Sequence, residues 1–162
     1  MKISLNPQAK AAATRDALLA EGGFGKYYTD HMVVCEWNEK DGWSEPELKP
    51  YGPISLDPAT AVFHYGQEIF EGMKAYRQPD GGIGLFRPEA NARRFAKSAN
   101  RLALPEMPEE LFIETVETLV KQDAGWVPNK VGESLYIRPF MFATEVGLGV
   151  RPSNKALYML IA

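Results

Sequence analysis

The sequence has few of the residues that build metal centres and disulfide frameworks. It contains one cysteine, Cys35, and two histidines, His31 and His64. A zinc site takes three or four ligands and a disulfide takes two thiols, so we predict neither within this chain. A lone cysteine is typical of a reducing compartment, and we therefore expect a cytoplasmic protein.

Long apolar runs are also missing. No stretch approaches the roughly 18 consecutive apolar residues that a membrane-spanning helix requires. The first residues, Met-Lys-Ile-Ser-Leu-Asn-Pro-Gln, contain no apolar segment of the kind found in a secretory signal. The sequence therefore predicts neither a membrane span nor an export signal.

Charge of one sign is not in excess. Lys and Arg together number 18, and Asp and Glu number 21, which leaves a net charge of -3. Such a balance creates no basic field that would attract nucleic acid or anionic lipid, so we expect neither partner. The chain has 162 residues, of which 45% are hydrophobic and 24% charged, the composition of an ordinary globular protein.

The hydrophobic pattern predicts an arm followed by one α+β domain. Residues 1–23 are interpreted as the arm, which begins with a helix capped by Asn6 and ends at Gly22-Gly23. Residues 24–162 are interpreted as the domain. Strands are predicted at 27–37, 69–77, 83–87, 134–144 and 156–162, and helices at 88–102 and 108–123. Helical spacing predicts a buried side for each helix, formed by Ala92, Phe95, Ala96, Ala99 and Leu102 in the first and by Phe112, Val116, Leu119 and Val120 in the second. Because hairpin strands and helices alternate irregularly, we expect a mostly antiparallel sheet with packed helices.

The last predicted strand is apolar to the final residue, Ala162. A polypeptide chain rarely ends within a buried strand, without polar residues that follow the strand into solvent. We therefore expect this polypeptide to be truncated before a further domain.

One arginine stands on a strand face that is otherwise aromatic. In the predicted strand 134–144, Arg138 alternates with Tyr136, Phe140 and Phe142 on the same face. A cation there must meet an anion or reach water, and the planar guanidinium suits a carboxylate or a phosphate. The residues alone leave open a position at the sheet rim, or a pairing with an internal glutamate.

A second cationic feature lies on the predicted helix 88–102. Arg94, Lys97 and Arg101 fall on one side of that helix at spacings i, i+3 and i+7, with Arg93 beside them. A phosphate ligand would use such a side, and a solvated helix face would carry the same residues. Both interpretations stay open at this point.

Four segments, in order along the chain, together resemble the branched-chain amino acid aminotransferases, which are pyridoxal-phosphate enzymes of fold type IV. They are Tyr28-Thr29-Asp30-His31-Met32, Phe63-His64-Tyr65-Gly66 with Phe70-Glu71-Gly72-Met73-Lys74-Ala75, Leu85-Phe86-Arg87-Pro88 leading to Arg94, and Ser134-Leu135-Tyr136-Ile137-Arg138-Pro139. The resemblance runs from about residue 20 onward and covers the small N-terminal domain of that family.

The resemblance implies transamination between leucine, isoleucine or valine and 2-oxoglutarate. It implies pyridoxal 5'-phosphate as cofactor and a homodimer as the working assembly. In this family the lysine that bonds the cofactor lies in the large C-terminal domain, beyond this chain. We therefore assign no catalytic residue here, and we expect this polypeptide alone to be inactive.

Three polar residues take roles from the resemblance. Arg94 matches the helix arginine that contacts the cofactor phosphate. Tyr136 matches a strand residue near the carboxylate end of the substrate, and Arg138 matches the group that accepts the side-chain carboxylate of glutamate.

Four apolar or aromatic residues complete the implied pocket. Phe70 and Phe24 match its aromatic wall. Tyr65 and Val150 match residues that reach the pocket of the neighbouring subunit. We assign no role to Lys74.

Other functions share this resemblance or compete with it. A D-amino acid aminotransferase and an aminodeoxychorismate lyase belong to the same fold type. A non-catalytic ligand-binding or dimerisation domain is the alternative outside enzymology.

Overall fold

The computed structural model describes all residues from Met1 to Ala162, which form nine strands and four α-helices. The strands are β1 (Lys2–Ile3), β2 (His31–Asn38), β3 (Gly42–Trp43), β4 (Glu47–Pro50), β5 (Glu68–Phe70), β6 (Met73–Arg77), β7 (Ile83–Leu85), β8 (Leu135–Ala143) and β9 (Lys155–Ile161). The helices are α1 (Ala12–Glu21), α2 (Ala61–Tyr65), α3 (Pro88–Arg101) and α4 (Glu109–Gln122), and a short 3-10 helix covers Ala124–Trp126. None of these helices combines the length and the apolar character needed to cross a bilayer.

All nine strands belong to one sheet. Its order is β1-β4-β2-β9-β8-β6-β7, with β3 added to β2 and β5 added to β8. Every pair is antiparallel except β1 with β4. The prediction of an α+β fold with a mostly antiparallel sheet is confirmed.

One side of the sheet, which we call the helix-covered face, lies beneath α3 and α4. Its buried strand residues include Val33, Cys35, Ile137, Met141, Tyr158 and Leu160. Phe95 of α3 and Phe112 of α4 pack against Tyr158, with ring centroids 5.7 and 6.3 Å from that of the tyrosine, and against each other at 5.4 Å. The Tyr158 hydroxyl meets the Thr115 hydroxyl at 2.9 Å, so the one polar group of this aromatic cluster is satisfied.

The other side, the open face, has much less cover. Met32, Phe142 and Met159 form a small buried cluster, and Leu56 and, from α2, Val62 pack against it. Towards the opposite end of β8 the same face carries Tyr136, Arg138 and, from β6, Lys74 in register with Tyr136. This end of the sheet holds the candidate site.

Three predictions about local structure need correction. The first helix begins at Ala12 and not beside Asn6. The Asn6 side chain accepts from the Gln8 backbone N–H at 2.9 Å, but the next residues form no helix because the Lys10 backbone N–H donates to the Asp30 carboxylate at 3.0 Å. The predicted strand 69–77 is broken after Phe70 and resumes at Met73. Leu102, which the periodicity of α3 places among its buried residues, lies beyond the end of the helix and is 40% exposed.

Candidate functional site

The break between β5 and β6 is the feature around which the site is built. Both strands pair with β8, and the two residues between them, Glu71 and Gly72, interrupt the pairing. The Glu71 backbone N–H still donates to the Pro139 carbonyl at 2.8 Å, so the chain stays attached to the sheet. Of the two residues at the break, Glu71 contacts α3 and Gly72 lies against Tyr136 of β8.

Glu71 turns towards α3 and binds Arg94. Its Oε1 accepts from Arg94 Nε at 2.5 Å, and its Oε2 accepts from Arg94 Nη2 at 2.7 Å. Asn91 Nδ2, one helical turn earlier, also donates to Oε2 at 2.9 Å. The carboxylate is only 5% exposed, whereas the Arg94 side chain is 63% exposed. The buried carboxylate of Glu71 therefore binds Nε and Nη2 of the exposed Arg94, whereas Nη1 of Arg94 has no protein partner.

The Glu71 carboxylate is kept ionised by its neighbours. Burial by itself would raise its pKa, but the hydrogen bonds from Arg94 and Asn91, the Arg94 charge and the Gly72 backbone N–H outweigh that effect and lower the pKa below its usual value. The same contact with Glu71 raises the pKa of Arg94. Both groups are charged at neutral pH.

An open groove of about 730 Å³ runs past Arg94 at the edge of the sheet. Lys97, Ser98 and Arg101 of α3 line it on one side, and Glu68 and Phe70 of β5 line it on the other. Arg94, Lys97 and Arg101 outnumber the single acid, Glu68, so the groove favours an anion. The structure thus brings the predicted basic side of α3 together with Phe70.

A second cavity, of about 850 Å³, opens on the open face between the N-terminal arm and β8. Its lining residues include Tyr136, Arg138 and Lys74. Arg138 Nη2 donates to the Tyr136 hydroxyl at 2.9 Å, and its guanidinium lies over the Phe70 ring at 4.4 Å. Arg138 Nε is buried and has no hydrogen-bond partner. Nη1 also has no partner in the protein and is not among the buried atoms, so Arg138 can offer this nitrogen to a carboxylate that would enter the cavity.

Phe24 closes one side of this second cavity. Its ring meets Tyr136 edge-on, with centroids 4.8 Å apart, yet the residue is 78% exposed. The glycines around it, Gly22, Gly23 and Gly25, all adopt positive φ angles that other residues rarely adopt. The arm therefore reaches the site through a segment that only glycines allow to turn so tightly.

Gly72 is needed for the position of Tyr136. A Cβ atom on Gly72 would lie 2.3 Å from the Tyr136 hydroxyl oxygen. Because no side chain fits there, Tyr136 can lie against the strand break and receive the Arg138 hydrogen bond. Glu71 and Gly72 thus place Arg94 on one side of the sheet and Tyr136 on the other.

The two remaining predicted residues lie elsewhere. Tyr65, in the last turn of α2, donates to the Leu148 carbonyl, and Val150 is 88% exposed on the same loop. Neither lines either cavity. The structure therefore groups Arg94 with Phe70, and Tyr136 and Arg138 with Phe24, and leaves Tyr65 and Val150 on a separate surface.

Sequence reasoning missed Glu71, Asn91 and Gly72. The signal for Glu71 was an acid followed by glycine inside a strand pattern, since a strand-interior glycine often marks a break or a close approach. The spacing of Asn91 and Arg94, one helical turn apart, placed both on one side of α3. Nothing in the sequence showed that Glu71 would face them.

Comparison with proteins of known sequence identifies close relatives. The chain is 58% identical over 161 residues to the branched-chain-amino-acid aminotransferase of Mycolicibacterium smegmatis, a match that covers 99% of this chain and 44% of the relative. It is 56% identical over 163 residues to a probable branched-chain-amino-acid aminotransferase of Streptomyces coelicolor, again over 99% of this chain and 45% of the relative. No family model matches the chain.

Solved structures of the same kind share the fold. The T.th. branched-chain amino acid aminotransferase, complexed with N-(5'-phosphopyridoxyl)-L-glutamate, superposes with a TM-score of 0.58 at 25% identity, covering 78% of this chain and 40% of that one. The chain thus spans less than half the length of the relatives it matches. The resemblance identified from the four sequence segments is confirmed.

Proposed function

We propose that this chain, which is related to the branched-chain aminotransferases over nearly all of its length, is the small N-terminal domain of a pyridoxal-phosphate-dependent transaminase. The substrates of the whole protein would be leucine, isoleucine or valine with 2-oxoglutarate, and the products a branched 2-oxo acid and glutamate. The lysine that bonds the cofactor would come from a large domain outside these residues.

The groove beside α3 fits the phosphate end of such a cofactor. Arg94 presents its unpartnered Nη1 there, and Lys97, Ser98 and Arg101 lie along the same groove. Guanidinium, ammonium and hydroxyl groups are the usual donors to phosphate oxygens. When bound, the cofactor supplies the electron sink of transamination, and the protein orients it.

The second cavity fits a substrate that is alternately aliphatic and acidic. Phe24 offers apolar surface in this cavity, and apolar surface distinguishes aliphatic side chains by about 1–3 kcal/mol per methylene. Arg138 lies over the ring of Phe70, which lines the groove beside α3, and its Nη1 has no partner in the protein. Arg138 can therefore bind the side-chain carboxylate of glutamate, while the Tyr136 hydroxyl, 2.9 Å from Arg138 Nη2, would lie nearer the carboxylate end of the substrate.

The observation within the site that carries this proposal is that Arg138, at the cavity wall, donates to no group of the protein other than the Tyr136 hydroxyl. Its Nη1 therefore has no partner, and a ligand carboxylate there would add a charge-assisted hydrogen bond worth about 1.5–3 kcal/mol. Arg15 and Arg77 share with Arg138 an unpaired, buried Nε, but neither of them lines this cavity. Arg138 thereby favours a ligand that carries an anionic group.

We also propose a cytoplasmic homodimer in which Tyr65 and Val150 reach the neighbouring subunit. Their exposed positions on one surface, away from both cavities, support this arrangement. Sedimentation of the complete protein should give the mass of a dimer. A monomer that turns over substrate at the full rate would contradict it.

The deciding experiment is an assay of the complete polypeptide. Purified protein should carry pyridoxal phosphate, and leucine with 2-oxoglutarate should yield glutamate. Exclusive use of D-alanine would indicate a D-amino acid aminotransferase, and release of pyruvate from aminodeoxychorismate would indicate the lyase. A protein that neither binds the cofactor nor transaminates would leave a ligand-binding or dimerisation domain.

A further inference from the structure

We propose that Glu71 is a positioning residue, which fixes the guanidinium of Arg94 in the orientation that receives the cofactor phosphate. This inference rests on the proposed function, because it assumes that Arg94 binds that phosphate. It adds a buried acid to the site, with a defined partner and a defined effect.

The contacts between the two residues leave one edge of Arg94 free. Glu71 accepts from Nε and from Nη2, at 2.5 and 2.7 Å. A bidentate pair of this kind fixes the plane of the guanidinium as well as its distance. Nη1 and the outer side of Nη2 are left towards the groove that Lys97 and Arg101 line. Glu71 therefore lies behind the guanidinium, on the side away from the groove.

Glu71 is itself held in place from several directions. Asn91 Nδ2 donates to its Oε2 at 2.9 Å, and the Gly72 backbone N–H lies 3.3 Å from the same oxygen. Its backbone N–H is bonded to the Pro139 carbonyl of β8. A carboxylate fixed by the sheet can orient a side chain that is otherwise 63% exposed.

Two opposing effects decide whether Glu71 helps or harms phosphate binding. A free arginine loses rotamer freedom when it binds, and a partner that has already ordered it reduces that loss. A carboxylate near the site also repels the phosphate. Because Glu71 lies behind the guanidinium and the phosphate would lie in front, the repulsion acts over the longer distance, and we expect the ordering effect to dominate.

The test compares two ligands that differ only in the phosphate. In the complete protein stripped of cofactor, Glu71→Gln should weaken the binding of pyridoxal phosphate about tenfold, the effect of one immobilised side chain. The same substitution should leave the dissociation constant of pyridoxal, which lacks the phosphate, unchanged. A residue that merely supports the fold would change both constants together.

A neighbouring ion pair provides the controls. Arg93, next to Arg94 on α3, binds Glu109, the first residue of α4, at 3.2 Å, and this acid is more exposed than Glu71. Glu109→Gln removes the acid of that pair and Arg93→Gln its arginine, and neither should alter the affinity for pyridoxal phosphate. Arg94→Gln should weaken it, and adding Glu71→Gln to Arg94→Gln should then have no further effect, since Glu71 acts through Arg94.

Several results would overturn the inference. Tighter binding of pyridoxal phosphate by Glu71→Gln would show that the acid is only a repelling charge. Equal affinity, or an additive loss in the double variant, would show that Glu71 does not act through Arg94. If Glu71→Gln fails to fold, Asn91→Ala, which removes one donor to Glu71, should produce a smaller loss for pyridoxal phosphate alone, and no loss would refute the proposal. An unsubstituted protein that binds no pyridoxal phosphate would instead refute the proposed function.

Discussion

The two faces of the sheet use the same strands for different purposes. On the helix-covered face, alternate residues of β8 such as Ile137 and Met141 are completely buried beneath α3 and α4. On the open face, the intervening residues Tyr136 and Arg138 are half-buried and border a cavity of about 850 Å³. A strand with period 2 can therefore hold the core with one set of side chains and a ligand with the other.

Substitutions on the two faces should therefore affect stability and substrate binding separately. The core beneath the helices contains 23 buried residues in one cluster, whereas the buried cluster on the open face contains three. Substitutions on the first face should mainly reduce the free energy of unfolding, and substitutions on the second should mainly reduce the affinity for substrate. Each of the following predictions tests that separation.

The largest effect is expected from Phe112→Ala on the helix-covered face. Phe112 is fully buried and packs against Phe95 and Tyr158. Removing its ring should lower the free energy of unfolding by about 3–5 kcal/mol, the usual cost of a large cavity. Urea unfolding measures the loss. If the variant remains folded and its substrate affinity falls as well, the two faces are not independent.

The next effect is expected from Arg138→Ala on the open face. This substitution should reduce kcat/KM for glutamate about a hundredfold, because a charge-assisted hydrogen bond to a half-buried arginine is worth roughly 1.5–3 kcal/mol. The loss with leucine should be much smaller, since leucine has no side-chain carboxylate. Steady-state assays with both amino donors on the complete protein measure the ratio. Equal losses would contradict a pocket that serves both substrates with one arginine.

Gly72→Ala should act on the open face while sparing the core. The new Cβ would lie 2.3 Å from the Tyr136 hydroxyl oxygen, so Tyr136 must move and its hydrogen bond from Arg138 is lost. We expect the KM for glutamate to rise about tenfold, since one hydrogen bond to a charged group is worth roughly 1.5 kcal/mol. Tyr136→Phe is the matched control, because it removes the same hydrogen bond without a clash. A large fall in unfolding free energy for Gly72→Ala alone would show that the glycine serves the fold more than the site.

Tyr158→Phe should have a smaller effect, limited to stability. The Tyr158 hydroxyl is fully buried and bonds only to the Thr115 hydroxyl, at 2.9 Å. Its removal should lower the free energy of unfolding by about 1 kcal/mol, the net value of a typical hydrogen bond. Urea unfolding of this variant, with Thr115→Val as the partner deletion, measures the coupling. No loss in either variant would show that the hydroxyl pair contributes nothing to the core.

Much of the helix-covered face could be predicted from the sequence. Helical spacing identified Phe95, Phe112 and Val116 as buried, and these residues are fully buried. Period 2 in β8 likewise separated Ile137 from Arg138. These patterns are local, because each is set by the geometry of a single helix or strand.

The candidate site could be predicted only in part. The chemistry of Arg94 and Arg138 was visible, but their partners were not. Glu71 lies 23 residues from Arg94 along the chain, and the two meet only because β5 and α3 pack at the edge of the sheet. Such contacts depend on tertiary structure, and no local pattern in the sequence records them.

The smallest expected effect is the loss of stability caused by Glu71→Gln, and its size depends on pH. Glu71 lies at the break between β5 and β6. Its pKa is lowered in the folded protein from the ordinary value of 4.5, so its ion pair stabilises the fold above that pH and ceases to do so as the pH falls through the lower, folded value. Glu71→Gln should therefore be less stable than the unsubstituted protein at neutral pH, and the difference should shrink as the solution is acidified below pH 4.5. Because Arg94 is largely solvent-exposed, screening keeps this difference small.

Urea unfolding at a series of pH values measures that difference. The lowered pKa of Asp30, which burial would raise but which the Lys10 backbone N–H, the Trp126 indole and the Lys10 ammonium reduce, affects both proteins equally and cancels in the comparison. A difference that stays constant down to strongly acidic pH would mean that the loss comes from packing and not from the charge of Glu71. In that case Glu71 would stabilise the fold through its packing, as the core residues of the helix-covered face do, and not through its ion pair with Arg94.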